Sequence, residues 1–295
     1  GATGAVTPSD IAFGPSGDLF LTDAGGLGRV VSRVTPDGRY FKVAGGGSVG
    51  YTTDGVLATS IRLGSPGALD VAPDGSVYFT NTGVGGSRVF RISIDGRLYL
   101  IAGNPAGTYV DGMLAKDAWL SEPHGVAASK DGSIYIADEF RILRVGTDGR
   151  ITTYAGNGGG ANHGAEDGFL GRADSLAMQN ASEMVVDDNG DLLVLEGQGR
   201  IVTISPDNRM SARKLRTRDG EVVFSVNSLA KGPDGAIYVS QNFGNGVSTE
   251  DSKMSVYRVE SDGGLTMVAG GLQSAANFLL QGTVLARSAK FLLIK

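Results

Sequence analysis

Asp10, His124, Glu183 and Asn227 are the residues whose types and spacing best suit metal chemistry in this chain. Each stands seven or eight residues before a recurring glycine, Gly17, Gly132, Gly190 or Gly235, so a repeat fold would give them matching places. Brought to a common axis, they would offer oxygens and one imidazole. A hard cation such as calcium takes roughly six to eight oxygen ligands. The set holds few carboxylates for that task, and polar side chains lining a wet channel are equally at home in water.

Other chemistry is poorly supplied. The chain has two histidines, His124 and His163, and no cysteine. Cysteine-based metal sites, a disulfide and a thiolate nucleophile are thereby excluded, and two histidines fall short of the roughly three nitrogen or sulfur ligands expected of a catalytic zinc. No P-loop, Gly-x-Ser-x-Gly or His-Glu-x-x-His pattern occurs. Asp23 and Asp138 each follow an apolar run and suit hydrogen bonds to turn amides. Arg29, Arg88 and Arg141 recur a few residues later, where they can pair with those acids or line one face.

The second group suited to function is aromatic. Trp119, the single tryptophan, lies in a loop-like stretch, and Tyr51 and Tyr109 lie in the same class of stretch. Aromatic side chains on loops stack on sugars or anchor protein partners. Together they form the expected ligand-binding surface.

The elements that must position these residues are repeated. Asp74-Gly75, Asp131-Gly132, Asn189-Gly190 and Asp234-Gly235, with Ser16-Gly17 ahead of them, separate short apolar runs such as Leu69-Asp70-Val71 and Val77-Tyr78-Phe79. The anchoring glycines are 58, 57, 58 and 45 residues apart. A second turn recurs at Asp37-Gly38, Asp95-Gly96, Asp148-Gly149, Asp207-Asn208 and Asp262-Gly263, again between apolar runs. Such pairs mark hairpins, because the turn needs positive φ. Each copy therefore reads as four antiparallel strands, one blade of a β-propeller. Blades packed radially bury both faces of every sheet. Blades are expected near 9–45, 66–103, 123–156, 180–216 and 226–270, within a single domain over 1–295. A partial sixth blade in 275–295 is favoured, and five blades are the alternative. Between blades, Asp54-Gly55-Val56-Leu57-Ala58 and Asp111-Gly112-Met113-Leu114-Ala115 predict a short helical turn or ordered loop.

The run from Pro123-His124-Gly125-Val126 to Ile134-Tyr135-Ile136-Ala137-Asp138 resembles the NHL repeat, most closely its long-period form in bacterial extracellular proteins. The resemblance spans 9–271 and is strongest over 66–170. It implies a propeller that binds partners and an extracellular or cell-surface setting. Gluconolactonase-like propellers place an axial metal where Asp10, Glu183 and Asn227 would fall. That makes a metal-dependent hydrolase or lyase an alternative, although this repeat does not otherwise resemble them. NHL domains that bind RNA use a basic face.

Composition narrows the choice. The net charge is −5, which argues against nucleic acid as a partner. The one basic cluster, Arg213 to Arg218, reads as a solvated loop. No apolar run approaches the ~20 residues of a membrane span. The expected function is non-enzymatic recognition of a protein or glycan through inter-blade loops. No cofactor is required, calcium being the ion an axial site would hold. The incomplete last repeat also fits a piece of a longer chain or assembly.

Overall fold

The computed structural model describes residues 8–272, apart from 26–27, 84, 158–166, 176–177, 179–180, 182, 197–198, 218–219, 221, 223–225, 233, 242–253 and 261–262. The first blade comprises β1 (Pro8–Phe13), β2 (Leu19–Asp23), β3 (Val30–Val34) and β4 (Tyr40–Gly45). The second opens with a two-residue strand, β5 (Val56–Leu57), followed by β6 (Ser65–Val71), β7 (Val77–Thr82), β8 (Arg88–Ile92) and β9 (Arg97–Ala102). The third is β10 (Pro123–Ala128), β11 (Ile134–Asp138), β12 (Arg141–Val145) and β13 (Ile151–Ala155). The fourth holds β14 (Leu170–Arg172), β15 (Glu183–Val186), β16 (Leu192–Glu196), β17 (Arg200–Ile204) and β18 (Arg209–Lys214). The fifth holds β19 (Arg216–Thr217), β20 (Val226–Lys231), β21 (Ile237–Gln241), β22 (Met254–Val259) and β23 (Gly264–Leu272).

In every blade the four main strands meander antiparallel in chain order. The innermost strands pack in sequence, β1 on β6, β6 on β10, β10 on β15 and β15 on β20. The chain is thus an all-β propeller with five blades among the described residues. The tail 275–295, read above as a sixth blade, lies outside them.

Strand periodicity explains why these segments are so apolar. Side chains alternate between faces. Ile134 and Ile136 of β11 pack back towards the second blade, whereas Tyr135 and Ala137 pack forward towards the fourth. Both faces of the middle strands are covered, so β11 and β16 are buried along their whole length, whereas outer strands such as β13 and β18 keep exposed positions. Ala44, Ala102 and Ala155 near the ends of the outer strands are completely buried. The glycine after each has positive φ, and a Cβ there would lie 2.3–2.6 Å from the carbonyl oxygen of Arg29, Ser87 or Phe140. That contact is the reason for the recurrent Ala-Gly ending. The fourth blade lacks the pair because β18 runs on to fully buried Leu215, whose N–H donates to Gly199 O.

The hairpin glycines stand in left-handed conformation, as at Gly75 (φ 84°). Ala72 N–H donates to Ser76 O and Gly75 N–H to Ala72 O, a type I turn closed by a glycine bulge. Asn208 fills the same role at φ 66°, which asparagine tolerates.

The described parts of the first three connectors share one pattern of bonds. Asp54 Oδ1 accepts the N–H of Leu100, Asp111 Oδ1 that of Thr153 and Asp167 Oδ1 that of Lys214. Each Asp-Gly thus ties its connector to the outermost main strand of the following blade. β5 and β14 then pair along those outer strands and cover an edge that would otherwise be open. The expected helical turns are present as 3-10 turns at Ala58–Ser60 and Ala115–Asp117.

One ionic clamp joins three blades on the hairpin side. Asp188 Oδ1 accepts from Lys130 Nζ of the third blade and Lys231 Nζ of the fifth, both at 2.7 Å. Hydrogen bonds from Lys130 and Lys231, reinforced by their charge, hold the Asp188 carboxyl at about 2, below its ordinary 3.8. A depressed carboxylate adds stability above its unfolded value and loses it as pH falls through the folded one. Wild-type protein should therefore lose stability more steeply between about pH 4 and pH 2 than Asp188→Asn, as read by thermal melts across that range. The clamp is solvent-exposed, so high salt should shrink the difference.

Candidate functional site

Asp10, His124 and Glu183 of the sequence-derived axial set do not gather as a metal site among the described residues. Asp10 is 2% exposed, and its carboxylate is engaged with backbone: Oδ1 accepts Ile11 N–H and Oδ2 accepts Leu69 N–H, both at 2.7 Å. The second bond crosses from β1 to β6, so Asp10 staples the first blade to the second. Asp70 repeats the device one blade on, accepting Val71 N–H and Ala128 N–H. His124 is exposed, with Nε2 3.7 Å from Glu122 Oε2. Glu183 is half-buried at the start of β15, and Asn227 lies in β20. Among the described residues, no three histidine or acidic side chains gather as a metal site. His163 lies outside the described residues.

The acids that close the second strands behave differently from one another. Asp138 is fully buried, accepts Glu122 N–H at 2.9 Å and meets Arg141 Nη2 at 3.2 Å. Glu196 and Arg200 repeat the pair at 3.2 Å, and Asn81 faces Arg88 in the same register. In the first blade the pattern slips by one residue. Val30, not Arg29, is paired across from Asp23. Asp23 Oδ1 instead accepts the turn amide of Gly25. The expected Asp23–Arg29 pairing is therefore replaced by a turn cap.

The three aromatic residues separate. The Tyr51 hydroxyl donates to Asp54 Oδ1 at 2.7 Å, and its ring meets Phe90 edge-on at 5.1 Å with the Arg88 guanidinium 5.5 Å away. Tyr109 donates to Asp111, contacts Thr153 Oγ1 at 2.9 Å and carries the Arg141 guanidinium 3.8 Å from its ring centre. Burial, with the neighbouring Asp111 carboxylate, pushes the Tyr109 phenol up to about 12; burial also raises Tyr51 strongly, aided by Asp54. Both tyrosines are half-buried pins that fix connectors to blades.

Trp119 is different. It is 42% exposed, between fully buried Ala118 and Leu120 at 2%. Its N–H donates to Thr108 O at 2.9 Å, and Asn104 N–H donates to Ala118 O at 2.7 Å. The indole is therefore presented to solvent from a backbone tied down on both sides. Arg62 occupies the same place in the preceding connector: its N–H donates to Val49 O, and buried Ile61 and Leu63 flank it. The sequence groups Trp119 with the two tyrosines, and its exposure separates it from them only in the folded chain.

Residues 213–217 of the basic cluster are not a free loop, and Arg218 lies outside the described residues. They span the end of β18 and the start of β19; Leu215 is fully buried, and Arg216 Nη2 pairs with Asp167 at 3.1 Å. No described helix is long and apolar enough to cross a membrane.

No protein-family model matches the chain. Teneurin-m of Drosophila melanogaster is 28% identical over 205 residues, 61% of this chain and 7% of that protein, so the chain spans a small fraction of such a relative's length. A solved protein of unknown function from Bacteroides caccae superposes with a TM-score of 0.55 at 13% identity, covering 88% of this chain and 80% of its own. A structure solved as a candidate gluconolactonase superposes with a TM-score of 0.50 at 20% identity, covering 78% and 69%. At these identities the likeness speaks for architecture, and it agrees with the strand order above: the chain is a β-propeller of four-stranded antiparallel blades.

Proposed function

We propose that this propeller, its repeat read as NHL-like, is a non-enzymatic recognition module of the cell surface or extracellular space. Its partner is a protein or glycan, bound through the connectors on one face. The observation that carries this reading is Trp119, a large aromatic side chain held exposed on a backbone anchored at both flanks. A rigid indole of this kind loses little conformational freedom on binding, and tryptophan is enriched among residues that dominate interfaces.

A glycan array and a protein-partner screen on the whole chain test the proposal. Trp119→Ala should weaken the binding found there by about tenfold or more, a loss typical of an aromatic anchor. Its thermal midpoint should fall only modestly and the variant should remain folded, since the indole is 42% exposed. Binding unchanged in the variant would move the site away from this connector. A stoichiometric divalent ion in the purified protein would favour the metal-dependent hydrolase or lyase reading.

A further inference from the structure

A cavity of about 520 Å³ opens between the first and second blades, lined by Arg29, Lys42, Arg62, Gly46, Gly47 and Leu63 among others. Arg29, Lys42 and Arg62 are all exposed, and no carboxylate lines the cavity. Their side chains make no ion pair or hydrogen bond among the described residues. This sets them apart from Arg97, Arg141, Arg144, Arg172, Arg200, Arg209 and Arg216, each of which meets an acid within 3.3 Å.

The repeat shows that these charges are not part of the scaffold. The one-residue slip in β3 leaves Arg29, at φ 63°, where the second blade has Ser87. Lys42 sits opposite Ser32 as Leu100 sits opposite Phe90. Arg62 stands where the next connector has Trp119. The scaffold accommodates neutral residues at all three places, yet this junction places three cations around one opening in a chain of net charge −5. Like charges gathered without counter-charge repel one another. A bound anion removes that penalty, and guanidinium groups suit tetrahedral oxyanions through paired N–H donors. The volume falls within the range of small-molecule sites.

We infer that this cavity binds a phosphate or sulfate oxyanion, free or carried by a sugar-sized ligand. The inference goes beyond the recognition reading and does not depend on it, because it uses none of the residues around Trp119.

Calorimetric titration of the whole chain at low ionic strength tests it with glucose 6-phosphate, a heparin-derived sulfated disaccharide, inorganic phosphate and uncharged glucose. Saturable one-to-one binding is expected for at least one anionic probe and none for glucose. Arg62→Glu should weaken that binding by at least about tenfold, and added salt should weaken it further. Lys42→Glu should do the same, and it serves as the second variant if Arg62→Glu melts early. Equal affinity for inorganic phosphate and glucose 6-phosphate would identify the free anion as the ligand and still support the site. Trp119→Ala should leave the affinity unchanged, which separates this inference from the module's partner binding. Absence of saturable binding by every anionic probe, or full affinity in both charge-reversed variants, would overturn it.

Discussion

Asp10→Ala should destabilise the protein by about 2–6 kcal/mol, because it leaves the buried amides of Ile11 and Leu69 without their acceptor, at about 1–3 kcal/mol each. Urea denaturation monitored by circular dichroism measures the loss. Asp10→Asn should cost less, since its single carbonyl oxygen can still accept one of the two bonds. The same experiment separates a staple from a metal ligand. If Asp10 acts by joining β1 to β6, the wild-type midpoint is indifferent to calcium or chelator, and the variant's deficit is the same in both. A calcium-dependent rise in the wild type that disappears in Asp10→Ala would return Asp10 to the axial metal set.

Phe79→Ala should cost about 3–5 kcal/mol, the range for deleting a fully buried phenyl ring and leaving a cavity. Phe79 is completely buried in a cluster that joins Phe20, Val31 and Ala44 of the first blade to Leu69, Phe90 and Leu98 of the second. Its ring lies 5.7 Å from that of Phe90. The cost reports directly on radial packing between blades. If Phe79→Ala does not fold, Phe79→Leu should fold with a smaller loss. Leu170→Ala serves as the contrast: Leu170 is 81% exposed on β14 and should change stability by no more than about 0.5 kcal/mol. A Phe79→Ala loss as small as that of Leu170→Ala would mean that the blades do not depend on this interface.

The clamp at Asp188 and the staple at Asp10 show that polar residues unite blades by two routes. One is exposed and sensitive to salt; the other is buried and directed at backbone amides. Neither suggests chemistry on a substrate. Exposed Trp119 and the unpaired cations at Arg29, Lys42 and Arg62 stand instead at the surface, on different segments of the first three blades and their connectors.

The amino-acid sequence by itself determined the blades, the turns and the connectors. Those features rest on local physics: alternation of apolar residues along a strand, the need for positive φ at Gly75 or Gly149, and the Asp-Gly that starts each connector. Tertiary structure decided what each polar side chain does. A slip of one residue in β3 took Arg29 away from Asp23 and turned it to the cavity. The neighbouring blade claimed one oxygen of Asp10 and its own strand the other, and nearby acids and arginines claimed Tyr51 and Tyr109. Local sequence says which groups can bond. Which amide, acid or ring comes within about 3 Å of them is settled by cross-strand register and by the approach of a blade some 58 residues away.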